Sequence, residues 1–215
     1  GGMSFMPVLV FSNPIVAMLN VVGSLAFYTF LLLPTSLKFD FRRDIDRLSL
    51  LKTLPIRPLS LVLGQLAAPI LMATATQLLV LALASLIHPV GPGLLVFAML
   101  LLFSTNVLIF ALDNLIFLLY PFRAGQEGLD VFLRTTLTFT GKSLIFGLGL
   151  VLMYGWFALS GVVASLSDLG GGPLVDGRLL FAIGTMSMLC LAASTTIYLL
   201  VQAFCQFDPS CDTPA

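Results

Sequence analysis

Asp113 is the one acidic residue set within the long apolar runs of this 215-residue sequence. A carboxylate in such a place can carry a proton or sodium ion across the membrane field, or it can pair with a basic side chain. Insertion scales put its cost at mid-bilayer at about 2.5 to 3.5 kcal/mol. It lies about seven residues, roughly 10 Å, from the end of its run. A structural pair with a loop residue such as Arg123 therefore competes with a transport role. Asn114 adjoins it, and Gln65 and Gln77 supply amides from another run, so Asp113, Asn114, Gln65 and Gln77 make up a candidate intramembrane polar site. Asn20 and Asn106 are further amides of the same kind. Single amides more often hydrogen-bond neighbouring helices, for about 0.6 kcal/mol each.

No other chemistry-bearing residues converge. Thr140, Gly141, Lys142 and Ser143 imitate the end of a phosphate-binding loop, but its leading glycine would fall at Thr136 and no strand precedes it. Lys142 is better read as anchoring the end of a span at the headgroups. His88, the single histidine, stands before Pro89 with no second ligand or base nearby. Cys190, Cys205 and Cys211 are too few for a disulfide scaffold or a recognisable metal site. A catalytic role and a metal site are therefore not expected.

The elements that must position these residues are membrane spans. Apolar residues make up 59% of the chain and charged residues 9%, far from the balance of a soluble domain. A hydrocarbon core about 30 Å thick needs roughly 20 apolar residues in a helix, because every backbone amide must be satisfied internally. Five segments meet this requirement: 15–33, 63–87, 93–120, 143–166 and 179–204. The expected fold class is thus all-α, a polytopic transmembrane bundle. Gly64 with Ala68, and Gly147, Gly149, Gly155 and Gly161, are expected to permit close helix approach.

Ten basic and ten acidic residues cancel, so net charge gives no reason to expect a nucleic-acid partner, and the positions of the charges carry the information. Lys38, Arg42, Arg43, Arg47, Lys52 and Arg57 occupy 34–60, Arg123, Arg134 and Lys142 occupy 121–142, and only Arg178 lies elsewhere. The positive-inside rule makes loops 34–60 and 121–142 and the C-terminus cytoplasmic, and the chain start external. Five spans beginning outside predict a preceding span in a larger protein.

Projected at 100° per residue, Leu37 to Leu54 places Leu37, Phe41, Ile45, Leu48 and Leu51 on one stripe opposite Lys38, Arg42, Arg43, Asp46, Arg47 and Ser49. This is an amphipathic helix, opened by Pro34 and closed by Pro55 and Pro58. Asp44 falls within the apolar stripe, where a charge calls for a partner. The helix suits a membrane surface, its basic face on anionic headgroups, or a docking surface for a cytoplasmic protein.

The stretch "FDFRRDIDRLSLLKTLPIRPLSLVLGQLAAP", 39–69, resembles the segment joining two spans in permeases of the type-2 ABC transporter class, most of all bacterial ABC exporters. The class pattern of a short charged helix, a Leu-Pro step and a span beginning near a Gly is matched by Asp46 to Leu51, Leu54 with Pro55, and Gly64 with Gln65. "DNLIFLLYPFR", 113–123, is similar to the end of the following span, and "FDPSCDTPA", 207–215, to the C-termini. The resemblance implies that 34–60 holds a coupling helix seated in a groove of a cytoplasmic ATPase. Arg42, Arg43, Asp44, Asp46, Arg47 and Lys52 would face that partner, with Leu54 and Pro55 at the step. It further implies six spans, of which these are the last five, a bacterial inner membrane, and a second permease half or second copy. ATP and magnesium would bind only in the ATPase. Many members carry short extracellular helices before the last span, whereas "SDLGGGPLVDG" here is too glycine-rich for much helix.

Two functions follow as expectations. The first is the permease component of an ATP-driven exporter, not itself an enzyme, in which ATPase closure moves the spans in alternating access. The alternative is an ion-driven secondary transporter using Asp113. An intramembrane enzyme would need a nucleophile with its base, or a metal cluster, among the spans, and neither is found.

Overall fold

The computed structural model describes residues 14–31, 48–53, 55–87, 89, 91–119, 129–169 and 177–207. Six helices account for nearly all of them: α1 (Pro14–Leu31), α2 (Leu48–Thr53), α3 (Pro58–Ile87), α4 (Pro92–Leu119), α5 (Leu129–Leu169) and α6 (Gly177–Gln206). No strand occurs among the described residues. α1, α3 and α4 each begin on a proline, which suits the first helical position because its missing amide proton would have no partner there. Carbonyls of Arg57 and Gly91 accept the first-turn amides of α3 and α4.

α3, α4, and the stretches Phe139–Val163 of α5 and Leu179–Gln206 of α6 are long and apolar enough to cross a membrane. The protein is a polytopic transmembrane helical bundle. α1 coincides with the first expected span; its 18 residues reach about 27 Å, close to the thickness of the hydrocarbon core. α5 begins at Leu129, so the second half of the stretch expected as a loop over 121–142 is helical. With 41 residues it runs about 60 Å, twice the hydrocarbon thickness.

α4 is the axis of the bundle and shares its most extensive interface with α6, while α3 and α1 pack on other sides. Two apolar clusters form the core. One unites Val62, Leu66, Ile70 and Ala73 of α3 with Phe110, Leu115 and Phe117 of α4 and Leu200, Phe204 and Phe207 at the end of α6. The other joins Val22 of α1, Leu81 of α3, and Ala98 and Leu102 of α4. The first lies at the end where α3 begins and α4 and α6 finish, here termed the basic end. The second lies at the opposite, far end. Between them stands a polar layer.

Candidate functional site

The polar layer is built where α3 and α4 pass their midpoints. Gln77 follows Ala73 by one turn and precedes Leu81 by another, and Asn106 sits likewise between Leu102 and Phe110, so both amides point along the buried faces of their helices. They pair reciprocally: Gln77 Nε2 donates to Asn106 Oδ1 at 3.1 Å and Asn106 Nδ2 donates to Gln77 Oε1 at 2.7 Å. Gln77 Nε2 also donates to Thr29 Oγ1 of α1 at 2.5 Å, and Asn106 Nδ2 to Thr74 Oγ1 at 2.9 Å. Thr29 in turn donates to the carbonyl of Leu25. Thr29, Gln77 and Asn106 are all buried. Each amide meets its needs within the layer, so the arrangement ties three helices together in a medium that offers no water.

Asp113 lies on α4 two turns nearer the basic end, buried, and forms an ion pair with Lys142 of α5. Its partner is thus on a neighbouring span, where the sequence suggested Arg123, a residue outside the described set. Lys142 correspondingly does not serve as a simple headgroup anchor, and the Thr140 to Ser143 tetrad is plain α-helix. Asn114 donates to the carbonyl of Phe110 on its own helix at 2.9 Å. Gln65 is half-buried near the start of α3. Of the four expected polar-site residues, Gln77 and Asp113 therefore engage different partners at different depths, and Asn106, Thr29 and Thr74 join Gln77 instead.

At the basic end the described part of the expected coupling helix is α2, the six residues Leu48–Thr53. Arg42, Arg43, Asp44, Asp46, Arg47 and Leu54 lie outside the described residues, while Lys52 and Pro55 lie within them. Leu51, on the expected apolar stripe, packs against the basic-end cluster. Lys52 reaches the C-terminus of α6: its Nζ donates to the carbonyl of Phe207 and, at 3.4 Å, to that of Cys205, and it stands 5.5 Å from the centroid of the Phe204 ring. Terminal carbonyls of a helix lack internal donors and carry the negative end of its dipole, so a cation there is stabilising. A shallow groove of about 220 Å³ opens beside this contact, lined by Leu51, Lys52, Ile56, Pro58, Leu61, Phe204 and Cys205. Pro55 and Ile56 are exposed next to it.

The glycines expected at helix contacts are not there. A side chain at Gly64, Gly147, Gly149, Gly155 or Gly161 would meet open space within this chain. The close approach is instead at Gly184 of α6, where an added Cβ would run into the indole of Trp156 on α5. Trp156 Nε1 donates to the carbonyl of Phe181 at 3.4 Å, and Phe157 meets Phe181 edge-on at 5.5 Å. Thr185, one residue on, is buried with no hydrogen-bond partner for its hydroxyl among the described residues. One glycine in an apolar run resembles another in sequence, and only the facing tryptophan distinguishes this one.

No known protein family, curated protein or solved structure matches this chain.

Proposed function

We propose that this chain is the permease component of an ATP-driven exporter of the type-2 ABC class, transmitting ATP-driven movement of a separate cytoplasmic ATPase to its spans. The observation that carries the reading is the seat of α2. A short helix in the most basic segment of the chain is joined to the core by Leu51 and to the end of the last span by Lys52. A push on it reaches α6, and through the extensive α4–α6 interface the axis of the bundle. A helix lying only on headgroups would need no such tie. The resemblance of 39–69 to the coupling segment of that class supports the same reading, and the basic end then faces the cytoplasm. The substrate passes between this chain and a second permease half.

An ion-driven mechanism has less support. It asks Asp113 to exchange a cation with water, whereas its carboxylate is buried and balanced by Lys142.

The test uses the full-length protein in membranes with its cognate ATPase. Changing Asp46 and Arg47 together to alanine should abolish co-purification of the ATPase and vanadate-sensitive hydrolysis dependent on this chain, while insertion is retained. Unchanged co-purification would overturn the reading.

A further inference from the structure

α5 contains the least buried of the four long apolar stretches. Only 6% of its membrane window is buried, against 39% for α4. Beyond Ser143 the described residues that are not exposed are Phe146, Gly149, Met153, Trp156 and Ser160, Gly149 by its backbone alone. Those steps of three and four continue from Lys142 and trace a seam one residue wide along the helix. Two contacts with the bundle stand out among its described side chains. At the far end the contact is one of shape, the indole of Trp156 lying against the bare backbone of Gly184 with Phe157 against Phe181. Toward the basic end it is one of charge, Lys142 with Asp113, backed by the rings of Phe30 and Phe146 at 4.3 Å. The two lie 14 residues apart on α5, about 21 Å.

We infer that α5 is a hinged strut, pivoting on Trp156 and Gly184 and latched at its inner half by the Asp113–Lys142 pair. The two contacts differ physically in the way such a device needs. The far-end contact is a close-packed interlock that holds its geometry through dispersion and ring packing. The latch is a pair of opposite charges, strong in hydrocarbon but weakened wherever water or headgroups reach it. Lys142 keeps 14% of its side-chain surface accessible and has the length to carry its ammonium to the interface once released. Opening therefore separates the inner half of α5 from α4 while the outer half stays seated. The inference stands independently of what drives transport.

The experiment places spin labels on full-length protein in lipid nanodiscs, at Thr136→Cys on α5 and Leu59→Cys on α3, both exposed, with Cys190, Cys205 and Cys211 changed to serine. Trp156, the only tryptophan, reports on the pivot through its own fluorescence. Asp113→Asn and Lys142→Met should each give a longer, broader distance distribution with unchanged Trp156 emission, and the exchange Asp113→Lys with Lys142→Asp should restore the original distribution. Should a single variant fail to insert, Asp113→Leu with Lys142→Met removes both charges and must also lengthen the distance. An unchanged distribution in any latch-breaking variant, or a Trp156 shift accompanying the lengthening, would overturn the strut, the latter by showing that the helix leaves as a whole.

Discussion

Lys52, in the last turn of α2, donates to the carbonyl of Phe207 just past the end of α6, joining residues 155 apart in the chain. Two lengths of sequence on the same side of the membrane are thereby held as one body. Replacing Lys52 by methionine keeps the apolar stem over Phe204 and deletes the donor. A charged hydrogen bond is worth about 1.5 to 3 kcal/mol when buried, and half-exposure discounts this to about 1 kcal/mol. Thermal unfolding in detergent should fall by a few degrees. On the proposed reading, the variant in complex with an ATPase should retain nucleotide hydrolysis and lose most transport. Lys52→Arg should recover both. Transport at the parental level in Lys52→Met would show that force does not pass through this contact.

The amide pair at the centre of the bundle predicts non-additive mutations. Gln77→Leu leaves Asn106 facing hydrocarbon with its main partner gone, and Asn106→Leu does the reverse. Each should cost about 1 to 3 kcal/mol, the price of a buried group left unsatisfied. The double replacement removes both needs together and should cost less than the sum of the singles. Thermal or denaturant unfolding of the four proteins in the same detergent decides it. Strict additivity would mean that the two amides act separately.

Span positions are legible in the sequence because bilayer thickness converts directly into run length: α3, α4 and the apolar part of α6 lie close to the segments their composition marks out. Helix breaks are legible for the same kind of reason, Pro58 and Pro92 opening helices where a proline costs least. Partnerships between spans are not. Nothing local distinguishes Gln77, which pairs across 29 residues with Asn106, from Gln65 on the same helix. Rotation about each helix axis, set by packing against several neighbours at once, decides which amide meets which. Lys142 shows the limit most clearly. Its position at a span boundary is the signature of a headgroup anchor, and only the approach of α4 turns it into the counter-ion of Asp113.

Orientation can be read by labelling. Ile56 and Gly91 are both exposed and lie in connections at opposite ends of α3. In a background with Cys190, Cys205 and Cys211 changed to serine, a membrane-impermeant maleimide should label the Gly91→Cys variant in intact cells. The Ile56→Cys variant should react only after permeabilisation, because the positive-inside rule expects the basic segment around it on the cytoplasmic side. The reverse pattern would invert the bundle and remove α2 from reach of any ATPase.

Gly184 offers the sharpest test of packing, since the helix surface around it has no spare room. An alanine there puts a methyl group into the indole of Trp156, and the overpacking should cost about 1 to 3 kcal/mol. Alanine is otherwise the better helix former by nearly 1 kcal/mol, so any loss must come from the facing ring. The same change at Gly147 or Gly155, where a Cβ meets open space, should be neutral or slightly stabilising. Combining Gly184→Ala with Trp156→Leu should recover part of the loss, because the smaller side chain vacates the volume the methyl group enters. Melting temperatures of the single and double variants, followed by circular dichroism, measure the coupling directly. Equal effects at Gly184 and Gly147 would mean that α5 does not meet α6 at this point.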